Sequence, residues 1–149
     1  MGLDMYMRAK KYLWSFDQET SAISTQIGEI LGLPVGIRTN EIAAEVGYWR
    51  KANHIHKWFV DNVQDGQDEC QEHYVDNDNL KDLLETCEKV MADKTLAPEL
   101  LPTQQGFFFG GEDYDEYYFD DVQRTIDFIK GLEKLPDRDS WSIHYQSSW

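Results

Sequence analysis

Near the start of the chain Leu3, Met5 and Met7 alternate with Asp4, Tyr6 and Arg8; farther on, Leu80, Leu83, Leu84, Cys87, Val90 and Met91 recur at helical steps. A period of two places apolar side chains on one face of a strand, and a period near 3.6 places them on one stripe of a helix. The chain moves between these periods several times, and this interleaving limits its fold more than any other feature. Residues 18–32 read as a helix with Ile23, Ile27, Ile30 and Leu31 inward, ended by Gly32 and Pro34. Ile42, Ala44 and Val46 suggest a strand, with a helix running through them as the rival. Tyr48, Trp49, Ala52, Ile55, Phe59 and Val63 then fit a helix over 48–63. A short strand is expected near 70–75, and a helix over 79–92 capped by oxygens of the preceding VDNDN. LAPELLPT is a proline-marked connection and GFFFGG a short buried strand. A helix over 117–135 turns Phe119, Val122, Ile126 and Ile129 inward, and a closing strand carries Trp141, Ile143 and Tyr145 on one side.

The pattern lacks the regular βα repeat of a doubly wound sheet. It predicts an α+β fold: a small, mostly antiparallel sheet with about four helices packed on one face, and both terminal strands within it. At 149 residues the chain fits a single domain, 1–149. Aromatics at 13% provide the apolar area that a disordered chain lacks. No stretch is long and apolar enough for a membrane span, and the N-terminus lacks the pattern of a signal peptide. Cys70 and Cys87 are too few for a disulfide scaffold, so reduced thiols in a cytoplasm are expected.

Net charge is −14. Such a chain repels phosphates and anionic lipid, which argues against direct nucleic-acid or membrane binding over a broad surface. The acids come in runs free of Lys and Arg. One includes Asp61, Asp65, Asp68 and Glu69; the other includes Glu112, Asp113, Asp115 and Glu116. Each run is either a solvated surface that aids solubility or a face for a basic partner.

The densest chemistry is YWRKANHIHKWF, residues 48–59. On a helix His54 and His56 diverge, so they cannot share a metal. His56 falls on the apolar side, as a core histidine with a buried hydrogen-bond partner. Arg50, Asn53, His54, Lys57 and Trp58 fall on the polar side. They form either an ordinary solvated face or a site in which Trp58 stacks, Arg50 takes an anion and Asn53 orients it. Cys70 and His73 stand as C-x-x-H, a weak zinc signal without a second closely spaced pair. DNDN (76–79) and DYDEYY (113–118) lack the ligand and glycine spacing of a calcium loop. No phosphate-binding or hydrolase signature occurs, and no cofactor is implied.

MGLDMY, YWRKANHIHKWFV, LLPTQQGFFFGGEDYDEYY and YQSSW together resemble a family of small, uncharacterised proteins of tailed bacteriophages and prophages. The resemblance spans most of the chain and lends no catalytic residues. It implies an accessory role in the cytoplasm of a bacterial host. The expected function is a non-enzymatic inhibitor of a host or defence protein, acting in host takeover or counter-defence. It would work as a nucleic-acid mimic or by capturing a small anionic ligand such as a nucleotide. The alternatives are a small enzyme or nucleotide-binding protein using Arg50, Asn53, His54 and Trp58, and a structural or assembly protein.

Overall fold

The computed structural model describes residues 2–106 and 109–149. Among these, four strands form one antiparallel sheet: β1 (Asp4–Tyr12), β2 (Glu41–Arg50), β3 (His73–Val75) and β4 (Ser142–Ser148), in the order β2-β1-β4-β3. Five α-helices accompany it: α1 (Gln18–Leu31), α2 (Asn53–Asn62), α3 (Asn77–Ala92), α4 (Ala97–Leu100) and α5 (Glu116–Leu132). The α+β class and the placing of both terminal strands in the sheet are as expected, and the structure pairs those two strands side by side.

Period-two alternation builds the core face. Met5, Met7 and Ala9 of β1 are buried, as are Ile143 and Tyr145 of β4 and Trp49 of β2. The register sets Met7 opposite both Tyr145 and Gly47, and a bulge follows Met7. Gly47 lets α5 approach closely: a Cβ there would lie 2.8 Å from Cδ2 of Phe128, whose ring meets Trp49 edge-on at 5.2 Å. Helices α3 and α5 close the core with Leu80, Leu83, Cys87 and Val90 from one and Val122, Ile126 and Ile129 from the other. Asp76 and Asp115 cap them, accepting from the amides of Asn79 (2.7 Å) and Tyr118 (3.1 Å). Burial raises the Cys87 thiol to about 12, so it acts as a small apolar group.

Three sequence expectations need correction. First, residues 48–50 belong to β2, which resolves the strand–helix ambiguity over 42–46 in favour of one long strand. Lys51, with φ at 60°, breaks it, and α2 starts only at Asn53. Tyr48 and Trp49 match strand alternation as well as helical spacing, and pairing with β1 decides between the two. Second, the connection containing LAPEL includes α4, with Pro98 in its first turn, where a missing N–H costs nothing. Third, α1 forms, but it buries Thr20 and Ser24, whereas Ile30 and Leu31 are exposed. The expected GFFFGG strand falls at Phe107 and Phe108 outside the described residues; Phe109 is buried, and its amide donates to the Gly106 carbonyl. At the other terminus β4 runs to Ser148, with Ser147 buried and Trp149 half exposed.

Candidate functional site

Where β2 ends, Asn53 starts α2 and ties it to the distant acidic segment. Its amide nitrogen donates to the carbonyls of Phe109 (3.1 Å) and Gly111 (2.8 Å), and its amide oxygen accepts from the Gln104 amide (2.9 Å). Asn53 is buried, and these three bonds make it an anchor rather than a ligand contact. Gly110 is required at the crossing: its φ is 94°, and a Cβ there would lie 2.9 Å from Lys51 Cβ.

The anchor closes a cavity of about 240 Å³ whose lining includes Arg50, His54, Asp113, Asp115, Tyr118 and Asp121. Two stretches that the sequence presents separately thus meet in one place. His54 is not on a solvated face: it is 4% exposed, with its ring stacked on Tyr118 at 4.0 Å. Its Nε2 is buried without a hydrogen-bond partner among the described residues. Burial lowers its pKa to about 3, against the opposing pull of the Tyr118 backbone and Asp115, so the imidazole is neutral at physiological pH. Tyr118 is held in place by donating its hydroxyl to the Leu101 carbonyl at 2.7 Å. Burial raises Asp121 to about 6, although Arg124 at 3.4 Å partly offsets this.

The other predicted site residues lie elsewhere. Trp58 does not stack on the polar side; it is 9% exposed and meets Phe59 edge-on at 5.4 Å, because α2 packs more of its surface than one stripe requires. Lys57 pairs with Asp61 one turn along. His56 is the core histidine expected: Nε2 donates to the Asp68 carboxylate at 2.8 Å, and Nδ1 shares a hydrogen bond with the Tyr145 hydroxyl at 2.7 Å. Trp149 Nε1 donates to the other Asp68 oxygen at 3.1 Å.

The two acidic runs differ in consequence. In the first, Asp61, Asp68, Glu72 and Asp76 are occupied by Lys57, His56, Lys10 and the α3 cap respectively, leaving Asp65, Glu69 and Asp78 exposed. In the second, Asp113 and Glu116 are exposed without a cationic partner among the described residues, and the Glu112 carboxylate accepts from Gln105 Nε2. Cys70 and His73 join no cluster: no group of three or more His, Cys, Asp or Glu suited to a metal occurs among the described residues. Among them, too, no helix is long and apolar enough to cross a membrane.

Tyr118 and Asp121 escaped the sequence reading. The only signal was their spacing from the capping Asp115, which points Tyr118 inward on the first turn of α5. Comparison with protein-family models, curated proteins and solved structures returned no match to this chain.

Chemically the cavity favours a donor-rich cation. It offers a neutral imidazole and the carboxylates of Asp113, Asp115 and Asp121, while Arg50 and Lys51 are its cations. A phosphate would meet more negative than positive charge here.

Proposed function

We propose that this chain is a non-enzymatic binding protein whose acidic pocket receives a lysine or arginine side chain of a basic partner protein. The observation carrying this reading is that three carboxylates, Asp113, Asp115 and Asp121, line one cavity against two cations, Arg50 and Lys51, beside the buried His54 ring. A guanidinium or ammonium group would add positive charge and N–H donors to a lining whose carboxylates outnumber its cations. The exposed carboxylates of Asp113 in the lining and of Glu112 and Glu116 nearby in the chain would steer a basic surface toward it. The partner class is a host or defence factor with a basic groove, in keeping with the resemblance to phage accessory proteins. Capture of a bacterial lysate on the immobilised chain tests this. A retained basic protein should be released as salt rises, and retention should fall in D113N/D121N. No retention at low or high salt, or retention indifferent to both salt and these substitutions, refutes the reading.

A second reading, a small enzyme, is favoured by one observation: His54 and Asp121 line the same cavity with pKa values displaced in opposite directions, a combination that general acid–base chemistry uses. Titration against a nucleotide panel, followed by tryptophan fluorescence, tests it. A response lost in Arg50→Ala supports this reading, and no response in the wild type counts against it.

A further inference from the structure

The segment between β1 and β2 is built the opposite way from an ordinary surface helix. Helix α1 turns its small hydroxyls inward: Thr20 donates to the Trp14 carbonyl (2.9 Å) and Ser24 to the Thr39 carbonyl (2.6 Å). The return loop is fastened by Arg38 donating to the Leu13 carbonyl (2.7 Å) and by the Leu13 amide donating to the Asn40 carbonyl (2.8 Å). These polar bonds leave the apolar residues outside. Ile30 is 83% exposed, Leu31 65%, Val35 105% and Ile37 59%, all at the distal end of α1 and in the loop after it. Scattered single exposures are ordinary; four branched aliphatics within eight residues of one projecting tip are not.

Charge identifies the occupant. From Thr20 to Asn40 there are only two charged residues, Glu29 and Arg38, so the whole net charge of −14 is carried by the rest of the chain. Two copies repel each other wherever their acidic surfaces approach, and this neutral tip is where the repulsion is least. Glu29 and Arg38 have opposite signs, so a two-fold axis can set Arg38 of one copy against Glu29 of the other, as an isologous interface requires. The area also suffices. The four exposed aliphatics with half-buried Ile23, Ile27 and Leu33 offer roughly 500 Å² per copy, near the ~1,000 Å² total of a specific interface.

We infer that the α1 tip is a homodimer interface, with a second copy of this chain packed on Ile30, Leu31, Val35 and Ile37. It lies apart from the His54 cavity and does not depend on that pocket's function.

Sedimentation of the full chain in the micromolar range tests the inference. The wild type should be dimeric, and I30E/L31E should weaken association by about 100-fold or more with an unchanged helical circular dichroism signal. A double acid also adds charge, so the uncharged I30S/L31S should weaken association as well, and E29R should do so by setting like charges against each other across the two-fold axis. A monomeric wild type overturns the inference. So does a dimer that survives I30E/L31E, or a monomer that uses these same residues to capture a different protein.

Discussion

The Asn53 side-chain amide donates to the Gly111 carbonyl at 2.8 Å, joining residues 58 positions apart in the chain. Through this bond and its two companions, the start of α2 holds the acidic segment in place, and the candidate pocket exists only while they persist.

Asn53→Ala removes all three bonds and leaves the buried Phe109 carbonyl without this donor. The expected loss is about 2–4 kcal/mol in urea unfolding, with faster amide exchange around residues 104–113 than elsewhere. Gly110→Ala should loosen the same segment, because the added Cβ crowds Lys51 at a backbone angle that L residues seldom adopt.

Stability should depend on pH through two opposed groups. His54 titrates near 3 when folded, against an ordinary 6.5. Between those values the unfolded chain binds a proton that the native chain does not. Stability therefore falls as pH drops through this window, by up to about 1.4 kcal/mol per unit. Asp121 acts in reverse: its folded value of about 6 exceeds the ordinary 3.8, so its contribution is present at low pH and lost as pH rises through 6. The two partly offset each other between about pH 4 and 6. Asp121→Asn should therefore steepen the acid loss of stability there, and His54→Gln should flatten it. Urea midpoints measured across that range decide the matter.

Tyr145→Phe keeps the face-to-face stack on Phe59, whose centroids lie 3.8 Å apart, but strips His56 Nδ1 of its partner. A destabilisation of about 1–3 kcal/mol is expected in thermal unfolding. A change near zero would show that the hydroxyl contributes little to the core.

Asp115 and Asp113 should separate structural from binding roles. Asp115→Ala removes the α5 cap and should cost about 1 kcal/mol, whereas Asp113→Asn should leave stability within about 0.5 kcal/mol and lower only partner retention. Unfolding curves and capture assays on the two variants make the comparison.

Periodicity and capping residues determined much of this protein: the first strand, helices α3 and α5, the closing strand with Ile143 and Tyr145, and His56 on the buried side of α2. These depend on neighbours within a few positions, where one pattern recurs often enough to exclude its rival. Only the tertiary structure decided the remainder. Tyr48 and Trp49 fit either period until β1 paired with them; His54 and Trp58 were buried by helix α5 and by the core, which local spacing does not encode. The candidate pocket is tertiary in the same sense, since its imidazole and its carboxylates lie some 60 residues apart and meet only because Asn53 bonds the loop between them.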